Sequence, residues 1–183
     1  MKWIFGLGVW LLMAAGCASA TPPAAVSAPE PTGGDPMFTI TSSAFEPGTA
    51  IPARYSCKGD DISPPLVWHG VPNDTQSFAL IFDDPDAPGG TWYHWLLFNL
   101  PADTRALPEN ATPPAGTLVG KNSWGRTDYG GPCPPRGTHR YFFKLYALDS
   151  TLSLATGASK PDIESAMRGH ILAQAELMGT FSR

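Results

Sequence analysis

Ser77-Phe78-Ala79-Leu80-Ile81-Phe82-Asp83-Asp84-Pro85-Asp86-Ala87-Pro88 joins an apolar run directly to carboxylates and prolines. Phe78 to Phe82 is apolar at odd and even positions alike, which reads as a strand central to a packed sheet and covered on both faces. The acidic residues then fall at its end. Pro85 and Pro88 fix φ and remove backbone donors, so Asp84 and Asp86 are expected to leave the sheet on a stiff turn. A rigid carboxylate loses little further entropy when it meets a ligand or a histidine. The plainer alternative is that Asp83, Asp84 and Asp86 only cap the free amides of the turn.

Working outward, the folded part is expected to start at Met37, where Phe38-Thr39-Ile40-Thr41 alternates with the strand period. Further strands are read at Leu66 to Trp68, Ser77 to Asp83, Tyr93 to Leu100 and Arg140 to Leu148, separated by Pro, Gly, Asn and Asp. One helix is expected from Pro161 to Ile171, with Ser159 as its cap, Pro161 in the first turn, and Asp162 and Glu164 near the positive end. In the tail, Ala173, Ala175, Leu177, Gly179 and Phe181 share one face of a final strand; the competing reading extends the helix through Leu172 to Met178. The fold class is therefore mainly β.

His94 lies among Trp92, Tyr93, Trp95, Leu96, Leu97 and Phe98, where an imidazole must find a partner. A second histidine has comparable surroundings: on a strand, His139 and Tyr141 point to one face and Arg140 to the other, so the first two can share a pocket with His94 and Asp84. Arg140 is then free for an ion pair with Asp86 or Asp128. The turn Gly130-Gly131-Pro132-Cys133-Pro134-Pro135 offers a wall whose backbone amides can approach a ligand closely.

A chain of 183 residues with 43% apolar content is sized for one globular domain with a substantial core. Its net charge of −4 and lack of a Lys/Arg cluster argue against nucleic-acid binding. Lys2 followed by the apolar run Trp3 to Ala15 makes residues 1–20 an export signal rather than part of the fold. Ala14-Ala15-Gly16-Cys17 resembles a bacterial lipoprotein box with Cys17 as the acylated residue, while Ala18-Ser19-Ala20 fits ordinary cleavage after Ala20; the lipoprotein reading is favoured. Residues 21–36 are nearly all Pro, Ala, Ser, Thr and Gly and read as a disordered tether. In an oxidising compartment Cys57 and Cys133 are expected to form a disulfide, worth roughly 4 kcal/mol in the chain-entropy account. The alternative is two buried free thiols. Two distant cysteines are too few for a zinc site.

These segments together resemble the phosphatidylethanolamine-binding proteins, also called Raf-kinase-inhibitor-like proteins, and in particular their bacterial YbhB/YbcL-type branch. The resemblance spans residues 37–183. It rests on Asp83 to Pro88, His94-Trp95, Asn99-Leu100-Pro101-Ala102, Gly120-Lys121-Asn122, Tyr129 to Pro135, His139-Arg140-Tyr141 and Leu145 to Leu148, with Cys57 to Leu66 matching the segment before the first core strand. It implies a central antiparallel sheet, a smaller second sheet and one or two short helices, with an anion pocket near one end. In the family that pocket corresponds to Asp84, Trp92, His94, Gly131, Pro132, Pro134, His139 and Tyr141. Family ligands are phosphate-like groups, phospholipid headgroups and simple carboxylates. The kinase and protease inhibition of eukaryotic members is not carried over.

The leading functional expectation is a non-enzymatic binding protein of the bacterial cell envelope, periplasmic and lipid-anchored or secreted. In it His94 and His139 donate to a phosphate or carboxylate, helped by Tyr141 and turn amides, and Asp84 orients an imidazole or receives a headgroup ammonium. No cofactor, metal or catalytic residue is expected. One alternative is a small ester or phosphate hydrolase using an Asp-His pair, for which no nucleophile elbow or phosphate loop is visible. Another is an inhibitor or adaptor acting on a protein partner through its outer surface.

Overall fold

The computed structural model describes residues 37–183, so the export signal, Cys17 and the 21–36 tether lie outside the described residues. In chain order the strands are β1 (Thr39–Thr41), β2 (Leu66–His69), β3 (Ser77–Asp84), β4 (Trp92–Pro101), β5 (Ala106–Leu107), β6 (Leu118–Val119), β7 (Thr138–Leu148) and β8 (Ile171–Ser182). One helix, α1 (Lys160–Met167), and a 3-10 turn at Ala53–Tyr55 complete the elements. A small sheet has the order β1-β2-β5 and a larger one the order β6-β4-β3-β7-β8, with every neighbouring pair antiparallel.

The position of β3 explains its unbroken apolar run. Phe78, Leu80 and Phe82 pack in one core with Ile40, Leu66 and Trp68 of the small sheet, and the Trp68 ring meets Phe78 edge-on at 5.6 Å. Ala79 and Ile81, on the other face, join Ile163 and Met167 of α1 in a second core. Every residue of β3 is buried, as the sequence predicts for a strand covered on both sides. Burial of each large apolar side chain contributes about 1.5–3 kcal/mol.

Several boundaries differ from expectation. Asp84 does not leave the sheet; it is the last residue of β3 and pairs with Trp92. Its carboxylate is satisfied locally, which lets the strand carry a charge one residue further into the fold. The helix starts as read, with Ser159 and Asp162 forming a reciprocal capping box and Pro161 in the first turn. It stops at Met167 rather than Ile171, because Gly169 takes φ 82° and turns the chain back. Ile171 then enters β8 opposite Leu148, and Ala175, Leu177, Gly179 and Phe181 are buried along one face. The final strand is thus the correct reading of the tail. The two-residue strands β5 and β6 were not anticipated.

Candidate functional site

A cleft of about 550 Å³ opens beyond the end of β3, bounded by Asp84, the 87–92 loop, His94, Ser123, Trp124, Cys133 and Pro135. The strands deliver its polar groups in different ways. Asp84 follows Phe82 on the same face of β3, so it faces the cleft side of the sheet. His94 is the extra residue of a β-bulge: Phe82 pairs with Trp95 and Asp83 with Tyr93, leaving His94 unmatched and re-aimed. His139 and Tyr141 alternate with Arg140 on β7, and both are buried while Arg140 is exposed.

These side chains form a fixed cluster. His139 Nδ1–H donates to Asp84 Oδ2 at 2.7 Å, with both side chains nearly buried. The second Asp84 oxygen accepts the Asp86 amide at 2.9 Å. Asp84 therefore caps a turn amide and orients an imidazole at once. His94 Nδ1–H donates to the Gly130 carbonyl at 2.7 Å, and burial, opposed by that carbonyl and by the Asp84 charge, holds its pKa below the ordinary histidine value. His94 is then neutral at pH 7, and its Nε2 carries a lone pair. Tyr141 is fully buried beside His94, with ring centroids 5.4 Å apart, and its hydroxyl lies near Asp84 and the Cys133 amide without a well-formed hydrogen bond to either. Burial, reinforced by the nearby Asp84 charge, pushes its pKa up.

Arg140 grips Asp86 from outside with Nε and Nη2 at 2.9 and 2.7 Å, settling the choice between Asp86 and Asp128. This hydrogen bonding lowers the Asp86 pKa to about 2. Asp128 pairs instead with Arg126. The turn after β3 is thereby tied to β7 from both sides: Asp84 to His139 inside, Asp86 to Arg140 outside.

Of the residues singled out from sequence, Asp84, Trp92 and His94 line the cleft, while His139 and Tyr141 lie behind them. Gly131, Pro132 and Pro134 are buried in the wall, and it is Cys133 and Pro135 that face the cleft. The turn also supplies fewer amides than expected. Gly130 N–H donates to the His94 carbonyl and Gly131 N–H to Asp61, proline has no N–H, and the Cys133 amide is directed at the Tyr141 hydroxyl. With Nδ1–H engaged by Gly130, Nε2 is the nitrogen that His94 can turn to a ligand, as an acceptor while the ring is neutral.

Sequence reasoning missed Ser123 and Trp124. Buried Asn122 holds their loop, accepting the Trp124 and Arg126 amides on Oδ1 and donating to the Asp128 carbonyl. The signal was an asparagine followed by Ser-Trp-Gly, a turn pattern that gives no hint of where the loop lands. Trp124 stands edge-on to both Trp92 at 5.4 Å and His94 at 5.0 Å, giving the cleft an aromatic rim. Ser123 Oγ accepts the Tyr93 amide and keeps its own proton available. Cys57 and Cys133 are bonded with Cα atoms 5.5 Å apart, fixing the exposed edge of the wall.

The chain belongs to the phosphatidylethanolamine-binding protein family: the family profile of that description matches residues 41–182. Its curated relatives include a UPF0098 protein of Methanothermobacter thermautotrophicus, 51% identical over 150 residues that cover 80% of this chain and 99% of the relative. A UPF0098 protein of Aquifex aeolicus is 47% identical, covering 82% of this chain and 91% of the relative. Among solved structures, a homologue from Chlamydia trachomatis superposes with TM-score 0.77 at 43% identity, over 80% of this chain and 98% of that one. Escherichia coli YbcL, a member of the mammalian PEBP family, gives TM-score 0.76 at 33% identity, over 81% and 99% respectively. The YbhB/YbcL-type assignment and the two-sheet fold both stand.

Proposed function

We propose that this protein is a non-enzymatic binding protein whose cleft takes a small anion, either free or as a phospholipid headgroup. The observation that carries the reading is the rigid Asp84–His139 pair set beside His94 at the cleft. Asp84 repels an unaccompanied anion, so a zwitterion such as phosphoethanolamine suits the site better than a multiply charged ligand.

The test is an NMR titration with phosphate, phosphoethanolamine and acetate. Saturable shifts are expected at Asp84, His94 and His139, with affinity falling at least tenfold in His139→Ala. Because the His94 pKa is lowered, the ring gains a proton, and becomes a second cationic donor, only below the ordinary histidine range. Acetate affinity should therefore strengthen as the solution is acidified below that range. A flat pH profile, no localised shifts, or turnover of chromogenic esters or phosphates would overturn the reading.

We also propose that the chain is exported and anchored through lipid on Cys17, with residues 21–36 spacing the domain from the membrane. Labelled fatty acid should enter the wild-type protein in a bacterial host and be lost in Cys17→Ala. Cleavage after Ala20 with no label would establish the soluble form instead.

A further inference from the structure

The peptide group joining Gly130 to Gly131 is hydrogen-bonded at both poles. Its carbonyl accepts His94 Nδ1–H at 2.7 Å, and its N–H donates to Asp61 Oδ1, also at 2.7 Å. A carboxylate on the N–H polarises the whole amide and makes the carbonyl a stronger acceptor for the imidazole. Asp61 is absent from the cleft lining and faces a separate hollow of about 360 Å³ shared with Trp95, Asn110 and Tyr129. Its hydrogen-bonded connection to His94 runs through this one amide.

The surroundings are arranged to keep that contact. Asp61 adopts φ 54°, a left-handed conformation that Asp and Asn tolerate better than most residues. A Cβ on Gly131 would lie 2.3 Å from the Tyr55 carbonyl oxygen and 2.7 Å from Asp61 Oδ1, so glycine alone allows the amide so close. The Cys57–Cys133 disulfide and the Cys57 N–H bond to the Pro132 carbonyl at 3.2 Å hold the two segments together.

We propose that Asp61 is a positioning residue that fixes His94 in its Nδ1–H form through the Gly130–Gly131 peptide, leaving Nε2 as the ring nitrogen free for a ligand. The inference rests on the reading of the cleft as a binding site, since the tautomer acquires its purpose only when a ligand meets Nε2. The neutral imidazole has two tautomers, and the partner of one nitrogen decides which is present. Other groups around the ring do not engage Nδ1: Phe82 and Asp84 from β3, His139 and Tyr141 from β7, and Trp124 from its loop. Burial is the main influence holding the His94 pKa down, and the Gly130 carbonyl, Asp84, the Gly131 carbonyl and Asp61 all act against it.

The test is imidazole ¹⁵N NMR on the full chain, comparing wild type with Asp61→Gly and Asp61→Asn. Glycine accepts the positive φ, so Asp61→Gly removes the acceptor without adding backbone strain. Asparagine keeps an oxygen for the Gly131 amide and removes the charge. Wild type should show Nε2 unprotonated at neutral pH. Asp61→Gly should free the Gly130–Gly131 peptide to move off Nδ1, shift His94 toward the Nε2–H form, and weaken binding of phosphate, whose P–OH donates to the unprotonated Nε2 of wild type, roughly five- to tenfold, the worth of one hydrogen bond. Asp61→Asn should restore the wild-type tautomer with His94 titrating at lower pH, as loss of a nearby negative charge requires. A wild-type Nε2–H ring, or Asp61→Gly resonances and pH profile that superpose on wild type, would overturn the assignment. If the tautomer behaves as described but phosphate leaves wild type unmoved, the cleft reading falls and the role of Asp61 stands.

Discussion

Lys144→Met is expected to lower the unfolding free energy by about 3 kcal/mol at neutral pH, the lower end of what breaking a buried ion pair costs. Asp83 points to the helix-covered face of β3 and is 3% exposed. Its two oxygens take hydrogen bonds from Lys144 Nζ at 3.0 and 2.7 Å, and the lysine side chain is one-quarter exposed, so water moderates the loss. Burial raises the Asp83 pKa, while Lys144 and, more weakly, Lys160 act against the rise. A carboxyl whose pKa is higher in the folded state favours folding fully below its unfolded value, and that contribution is lost as pH rises through the folded value. Removing Lys144 raises the folded value further, so the deficit should be largest at pH 7 and shrink on acidification toward the carboxylate range. Urea unfolding at pH 7 and pH 5 measures this, and Asp83→Asn/Lys144→Met should recover most of the loss. An equal deficit at both pH values would show that the ionised carboxylate is not what the lysine neutralises.

The same carboxylates show what was legible in the chain and what was not. The central strands were readable because coverage on both faces forces an apolar residue at every position, as in Phe78 to Phe82. The alternation of His139, Arg140 and Tyr141 correctly separated an inward pair from an outward ion pair, since strand geometry leaves no other arrangement. Strands β5 and β6 have two residues each, too few to display a period. The β-bulge that turns His94 is a property of pairing between strands, invisible in either strand alone. The engaged amides of Gly130 and Gly131 escaped for a related reason: their partners are fixed by tertiary packing, with Asp61 seventy positions away from Gly131. Residue types announced a site; which donors remain free in it depends on contacts between distant segments.

Phe82→Ala is expected to cost about 3–5 kcal/mol of stability and to disable the cleft as well. Phe82 is fully buried and stacks on Phe143 with ring centroids 3.9 Å apart. Tyr129, Tyr141 and His94 surround the same ring at 5.7, 6.1 and 5.1 Å. The residue next to it in β3 on that face is Asp84, so one side chain underlies both the core and the polar cluster. Truncation leaves a void that neighbouring aromatic rings can fill only by tilting, and tilting His94 weakens its 2.7 Å bond to Gly130. Phe82→Leu separates the two effects: it keeps much of the volume, so it should lose less stability, but it removes the flat surface on which the rings are ordered. Urea unfolding together with the His94 and Tyr141 ring resonances provides both readouts. The expected pattern is a large loss of stability in alanine alone and displaced ring resonances in both variants. If leucine leaves His94 and Tyr141 unmoved, the polar cluster is held by its hydrogen bonds and the aromatic floor contributes packing only.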